Sequence, residues 1–304
     1  MKRTRLCVMC VAGLTAILAG CTPPGGKAFD SPQAAADGLV AALKTNDDAK
    51  VIEVLGPGSE EIVSSGDPVA DREMFERFVG AYSAKHSFEQ DESSATLIVG
   101  NEEWPMPVPL VRTGNAWRFD GKAGKDEVLS RRIGRNELAT IEVCRAFVDA
   151  QREYAAGGFD GGAYARKLRS DPGLKDGLYW DTAPGEALSP MGAMVAMAES
   201  QGYVADPNRA RTGASRPFHG YCYRPLLAQG PNAKGGAMNY EENGKLSRGF
   251  AVVAFPVEYG NSGVTTFMVN QDGLVYEKDL GPDSERIVME MKSFDPGEGW
   301  DIVK

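Results

Sequence analysis

The sequence predicts an α+β fold made of two units, each with helices followed by an antiparallel sheet. Apolar residues recur at helical spacing in residues 31–81 and again from residue 136, and short runs rich in β-branched and aromatic residues follow each helical stretch. The composition, with 42% hydrophobic and 25% charged residues in 304, is typical of a globular protein. We expect the units to span residues 31–121 and 136–304.

The first unit is predicted to contain three helices and a three-stranded sheet. Ser31 and Pro32 begin the first helix, Asp47 or Asp48 caps the second, and the third covers residues 71–81. Strands follow at residues 95–99, 108–112 and 116–119, and the prolines at 105, 107 and 109 place the middle strand at a sheet edge. This pattern resembles the cone-shaped, nuclear-transport-factor-like fold, in which helices pack on a curved sheet.

The second unit is predicted to begin after a joint rich in glycine and charge, residues 121–135. Asn136 then caps a long helix that ends at Gly157. Shorter helices are expected at residues 164–168 and 190–200, turns at 173–180, and a loop at 203–216. The predicted strands lie at residues 220–227, 249–259, 264–269 and 274–276, and Gly273 closes a turn between the last two. The helix and meander loosely resemble pilin-like domains.

Residues 1–20 have the features of an export signal. Lys2, Arg3 and Arg5 precede an apolar stretch at residues 6–18, which at about 1.5 Å per residue is too short for a hydrocarbon core of roughly 30 Å. Leu-Ala-Gly before Cys21 resembles a bacterial lipoprotein lipobox. That resemblance implies cleavage after residue 20, lipid on Cys21 and a lipidated tether at residues 21–30. Thr22 implies the outer membrane, with the body facing the periplasm. An ordinary secretory signal is the alternative.

Charge and residue counts exclude several classes of partner. The formal net charge is −9 and the isoelectric point is about 5.0, which disfavours nucleic acid as a partner. Two histidines and five cysteines provide little material for a transition-metal site, so we expect no metal and no cofactor. In an oxidising compartment Cys144 and Cys222 would either form a disulfide or remain two buried thiols.

Several blocks of sequence resemble an uncharacterised bacterial envelope family, catalogued as domain of unknown function 2950. These blocks are residues 171–180 (DPGLKDGLYW), 189–192 (SPMG), 219–224 (HGYCYR), 229–230 (QG), 259–267 (YGNSGVTTF) and 277–281 (EKDLG). The resemblance covers nearly all of the exported body. It implies a secreted or lipid-anchored protein without an assigned reaction, and it provides no catalytic residues.

No catalytic motif is complete in the sequence. Ser262 lies in Gly-Asn-Ser-Gly-Val, which departs from the Gly-x-Ser-x-Gly elbow, and a strand follows it instead of a helix. His219 and Cys222 would point to opposite faces of a strand. The acids at 160, 171, 176, 181 and 186 could provide oxygen ligands for calcium, although their spacing is not that of an EF-hand.

The aromatic residues of the second sheet are the remaining candidates for a binding surface. Tyr221 and Tyr223 share a strand face, and with His219 and Tyr259 they could contact a glycan or a protein, although core packing is the alternative. We therefore expect a lipid-anchored envelope protein that is a non-catalytic binding or scaffold module. The alternative is an envelope hydrolase using carboxylates and His219. Convergence of His219, a carboxylate and a tyrosine in one pocket would favour the hydrolase.

Overall fold

The computed structural model describes residues 26–183, 185–203 and 217–304. Its helices and largely antiparallel sheets confirm the predicted α+β class. The predicted signal peptide, Cys21 and most of the predicted loop at 203–216 lie outside the described residues. Within the described ranges, we find no helix with the length and apolar character needed to cross a bilayer.

The first unit consists of four helices packed on a five-stranded antiparallel sheet. The helices are α1 (Pro32–Leu43), α2 (Asp48–Leu55), α3 (Glu60–Val63) and α4 (Pro68–Ala84). The strands are β1 (His86–Gln90), β2 (Ser94–Val99), β3 (Trp104–Pro105), β4 (Leu110–Thr113) and β5 (Ala116–Phe119). The strand order is β1-β2-β4-β5, and β3 pairs with β2. Leu39, Leu97 and Phe119 belong to the apolar cluster between helices and sheet.

The polar residues predicted to begin the first two helices do so. The side chain of Ser31 accepts a hydrogen bond from the backbone N–H of Ala34 at 3.1 Å, and Asp47 accepts one from Ala49 at 3.1 Å. Helix α4 is longer than the predicted residues 71–81, because Asp67 caps it at an earlier position. Neither α3 nor β1 is predicted, since α3 has only four residues and β1 is almost entirely exposed and has no apolar period.

The predicted edge position of the middle strand is wrong. Strand β4 lies inside the sheet, where Leu110 faces Ala95 of β2 on one side and Phe119 of β5 on the other. Pro105 belongs to β3, and the prolines at 107 and 109 lie in the link between β3 and β4. Their missing N–H groups therefore leave the ladder of β4 intact.

One long helix, α5 (Gly121–Ala156), joins the two units. The predicted joint at 121–135 is therefore wrong, and Asp120 caps the helix instead of Asn136 by accepting from the backbone N–H of Ala123 at 3.1 Å. The early glycines serve close packing, because a Cβ atom on Gly124 would lie 2.6 Å from Cα of Val108. The glycine-rich helix start therefore marks close packing against α2 and the link between β3 and β4, and not a break in the helix.

The second unit contains a central five-stranded sheet with smaller two-stranded pairs around it. After α5 come a 3₁₀ turn (Phe159–Gly162), β6 (Lys167–Arg169), β7 (Gly177–Tyr179) and α6 (Gly192–Ser200), so the helix predicted at 164–168 is wrong. The remaining elements are β8 (Tyr221–Leu226), β9 (Ala228–Gln229), β10 (Met238–Asn239), β11 (Glu241–Glu242), β12 (Lys245–Leu246), β13 (Ala251–Pro256), β14 (Thr265–Asn270), β15 (Val275–Asp279), α7 (Ser284–Glu290) and β16 (Asp301–Ile302).

The central sheet of the second unit has the antiparallel order β16-β15-β14-β13-β8 and is covered on both faces. Phe147 of α5 packs on the face that carries Val252 and Ala254. The other face carries Val253 and packs against α7. Because neither face meets water, all six residues of β13 are buried, which explains its continuous apolar run.

Candidate functional site

Two of the sequence blocks that define the family resemblance meet on the middle of helix α5. Asn136 Nδ2 donates a hydrogen bond to the backbone oxygen of Ser262 at 2.9 Å. Gly220 lies against the same amide at a φ of 75°, and a Cβ atom there would be 2.5 Å from Asn136 Nδ2. Glu137 Oε1 accepts from the backbone N–H groups of Val264 at 3.1 Å and Thr265 at 2.9 Å. These blocks therefore fasten the second sheet to α5.

Arg132 lies at the centre of the contact between the two units and is only 3% exposed. Its guanidinium donates to the backbone oxygens of Glu61 at 2.6 Å and Ile62 at 2.5 Å, and also to Oδ1 of Asn261. Asn261 in turn donates to the backbone oxygen of Ser64 at 2.9 Å. We call this buried polar contact the unit interface; it comprises Asp67, Asp71, Arg132, Asn136, Asn261 and Ser262.

Two buried carboxylates complete the unit interface. Asp67 caps α4 with one oxygen, and its other oxygen accepts from Tyr203 OH at 2.8 Å and from the backbone N–H of Gly220 at 2.9 Å. Asp71 accepts from the backbone N–H of Ser65 at 2.9 Å. Burial raises the pKa of Asp71, while the hydrogen bonds from Ser65 and the charge of Arg132 oppose that rise. Both carboxylates therefore accept hydrogen bonds from groups of the protein that hold the two units together.

His219 is half-buried beside the unit interface. Its backbone has a φ of 51°, and its ring lies 4.2 Å from that of Phe218 and 6.1 Å from that of Tyr203, between centroids. Burial lowers its pKa, and the negative charge of Asp67 opposes this effect. His219 therefore favours the neutral form and packs among aromatic rings.

Among the described residues, the four predicted binding residues have different hydrogen-bond and ring partners. Tyr221 is fully buried and donates to the backbone oxygen of Thr265 at 2.9 Å. The hydroxyl of Tyr223 lies 3.3 Å from Oγ1 of Thr140, against α5. Tyr259, outside the core, donates to the carboxylate of Asp279 at 3.1 Å. Tyr221 and Tyr223 are near enough for the charge of one to affect the other, whereas Tyr259 bonds to a carboxylate outside the core.

The possible nucleophiles of the second unit are buried. Ser262 Oγ donates to the backbone oxygen of Glu258 at 3.1 Å and accepts from its N–H at 3.0 Å, which gives it a role in the turn. Cys144 and Cys222 form no disulfide: they pack on opposite faces of the central sheet. Burial raises the pKa of Cys144 to about 12, so its thiolate is scarce at neutral pH.

Four of the five acidic turn residues form ion pairs with basic side chains, and the fifth, Glu186, accepts a hydrogen bond from the backbone N–H of Ala183 at 3.2 Å. Lys167 Nζ lies 2.6 Å from carboxylate oxygens of both Asp171 and Asp176, and Asp160 pairs with Lys245 at 3.1 Å. Asp181 lies 3.4 Å from Arg169. Across the described residues, His, Cys, Asp and Glu nowhere form a group of three or more that could hold a metal ion.

A cavity of about 660 Å³ lies within the first unit. Its volume is in the range of roughly 300–1,000 Å³ that is usual for small-molecule sites. The inner wall is apolar and comes from the helices and the sheet together. Its buried lining residues are Leu39, Leu43, Val51, Leu55, Ile62, Val63, Phe75, Val99, Met106 and Val108.

The exposed lining residues form the rim of this cavity. They are Arg77, Gly80, Ala84, Asn101, Glu102, Trp104, Arg131 and Arg135. Arg131 donates to Glu127 at 2.6 Å, and its guanidinium lies 5.2 Å from the Trp104 ring centre. Arg77 forms an ion pair with Glu73. An apolar interior thus opens through a rim with three arginines.

The sequence does not reveal this cavity, because its lining residues come from six separate stretches of the chain. One signal is present along α5, where Val128, Arg131 and Arg135 occur at i, i+3 and i+7 and so share a helix face. Because residues 121–135 are predicted to form a joint and not a helix, this helical spacing is not recognised from the sequence.

These features define a two-unit α+β protein with an apolar cavity between the helices and the sheet of its first unit. The chain belongs to the family of proteins of unknown function DUF2950, which it matches over residues 26–303. This confirms the family resemblance found in the sequence blocks. No curated protein and no solved structure matches the chain, so the nuclear-transport-factor-like and pilin-like resemblances stay predictions.

Proposed function

We propose that this protein is a lipid-anchored component of the bacterial cell envelope that binds a small apolar or amphiphilic molecule in the cavity of its first unit. It holds this ligand without catalysing a reaction on it. The cavity carries the proposal, because an apolar space of about 660 Å³ offers such a ligand a large surface on which to bury its own apolar groups.

The placement of the reactive side chains supports binding over hydrolysis. His219 packs on aromatic rings beside a carboxylate that already accepts hydrogen bonds from Tyr203 and Gly220. Ser262 and Cys144 are fully buried. A general base must reach both its nucleophile and its substrate, and these groups meet neither requirement.

The chemistry of the cavity also favours an apolar ligand over a glycan. Sugar binding uses exposed aromatic faces, whereas Tyr221, Tyr240 and Phe255 of the second unit are buried. The predicted acyl chains on Cys21 would hold the cavity next to a membrane, which is a source of apolar molecules.

Gly80 provides a test of the cavity. It lies on α4 at the rim, and a Cβ atom there would meet no atom within 4 Å. The substitution G80F therefore adds a ring at the cavity opening with little disturbance of the packing. Gly134 of α5 has equally open surroundings and does not line the cavity, so G134F is the matched control. Neither change should lower stability, because glycine is unfavourable inside a helix.

The measurement is photo-crosslinking of the full chain in phosphatidylcholine vesicles to methyl hexadecanoate carrying a diazirine, with the labelled peptides identified by mass spectrometry. We expect labelling of cavity-lining peptides in the wild type and G134F, and severalfold less in G80F. Absence of cavity labelling in the wild type, or equal labelling in G80F, would overturn the proposed function.

A further inference from the structure

The charged residues of the cavity lining have the opposite sign to the chain as a whole. The lining contains Arg77, Arg131 and Arg135 and one acid, Glu102, whereas the whole sequence has 33 basic and 42 acidic residues. An arginine-rich rim on an acidic protein is a local feature that favours anionic ligands.

Arg135 is the arginine of this rim that has no ion-pair partner among the described residues. Arg77 pairs with Glu73 and Arg131 with Glu127, but among the described residues none forms an ion pair or hydrogen bond with the Arg135 guanidinium. Partial burial and then the positive charge of Arg77 lower the pKa of Arg135, and the negative charge of Glu73 opposes them. Glu102 is not among the charges that act on it.

An anion at the rim would offset the repulsion between the positively charged side chains of Arg77 and Arg135. A carboxylate or phosphate next to Arg135 can accept two parallel hydrogen bonds from the planar guanidinium, and its charge offsets the repulsion between Arg135 and Arg77. The same helix carries Val128 into the apolar part of the cavity. A head group on Arg135 would therefore continue directly into an apolar tail.

From this arrangement we propose that the ligand is an amphiphile with one acyl chain and an anionic head group, with the chain in the apolar cavity and the head group on Arg135. This inference rests on the proposed function and adds the ligand class. Met74 and Met106 in the lining suit a flexible chain, since methionine adapts its shape to its contacts.

The test compares four diazirine probes with the same hexadecyl chain on the full chain in phosphatidylcholine vesicles. The probes are the fatty acid, the alkyl phosphate, the neutral methyl ester and the alkyl amine, used at about pH 8, where the acid is ionised and the amine protonated. The variants are R135E and, as control, R145E; Arg145 is an exposed arginine of the same helix outside the cavity lining.

We expect the anionic probes to label cavity peptides about tenfold more than the amine, which corresponds to one charge-assisted contact. R135E should abolish or reverse that preference, and R145E should keep it. The fatty acid and phosphate arms show which anionic head group is preferred.

Equal labelling by all four probes, or an anion preference that persists in R135E, would overturn the ligand class and leave the proposed function intact, because the methyl ester still labels the cavity. Failure of every probe to label the cavity would overturn both.

Discussion

Arg132 illustrates how one side chain joins distant parts of the chain. Helix α3 has only four residues, so its backbone oxygens need partners outside the helix. Arg132 reaches two of them, at Glu61 and Ile62, and also binds Asn261 from the second unit. Its positive charge additionally opposes the cost of burying Asp71. Loss of this one guanidinium would leave several buried groups without a partner.

We therefore expect R132M to lower the free energy of unfolding by about 3 kcal/mol or more, because two buried acceptors and one part-buried acceptor lose their donor and Asp71 loses a favourable nearby charge. R145M is the matched control, since Arg145 lies on the same helix in an exposed pair with Glu142 and should cost less than about 0.5 kcal/mol. Urea denaturation of both variants measures the difference. Similar losses for the two variants would contradict the central role of Arg132.

His219 leads to a prediction about pH. Burial lowers its pKa in the folded state, so the unfolded chain binds the proton more readily than the folded one does. The contribution of His219 to stability is then complete above its usual pKa of about 6.5 and declines as the pH falls below it. H219N removes the titrating group and suits the positive φ.

Denaturation midpoints at about pH 7.5 and pH 5 should therefore fall more in the wild type than in H219N. Asp71, with its raised pKa, changes stability in the opposite direction and is present in both proteins, so its effect cancels in the comparison. Equal declines would show that His219 is not desolvated in the folded protein.

Local sequence signals predict where several helices begin and where the strands lie. Features that depend on contacts distant in sequence, such as the start of α5, are not predicted. Ser31 and Asp47 cap their helices as expected because a cap needs only residues two or three positions away. The glycine-rich start of α5 is misleading. Gly121 and Gly124 are there because residues of α2 and the β3–β4 link approach them closely, which no local pattern reveals.

Gly220 provides an element-scale test of how β8 meets α5. G220A should be destabilising by about 2 kcal/mol or more, because it adds strain at a positive φ and a collision with Asn136. Gly260 also has a positive φ, of 78°, but no atom lies within 4 Å of its Cβ position, so G260A should cost only the backbone strain of about 1–2 kcal/mol.

Thermal denaturation of the two variants separates strain from collision. The double variant G220A/N136A removes the colliding amide and should recover part of the loss relative to G220A. Equal effects of G220A and G260A would mean that the contact with α5 adds nothing to the strain of the turn.

For the whole molecule, the sequence predicts the class of fold and the family. The binding residues that it predicts lie in the second unit, whereas the cavity on which the proposed function rests lies in the first. Blocks that contain uncommon residue types, such as residues 219–224 and 259–267, look functional in the sequence. In the structure these blocks pack the second sheet against α5. The cavity is built from ordinary leucines, valines and arginines of many segments. Only the folded arrangement can reveal such a site.

The proposed lipid anchor is tested on the whole protein. A net charge of −9 gives no attraction to anionic lipids, so under the proposed function the membrane attachment comes from the acyl chains expected on Cys21. C21A should therefore move the protein from the membrane pellet to the soluble fraction and remove the acyl mass seen by mass spectrometry. C10A, which changes a cysteine inside the predicted leader, should leave the protein in the pellet with the same mass as the wild type.

If C21A stays in the pellet, or if wild-type Cys21 is unmodified, the anchor is wrong and the cavity must obtain its ligand from solution.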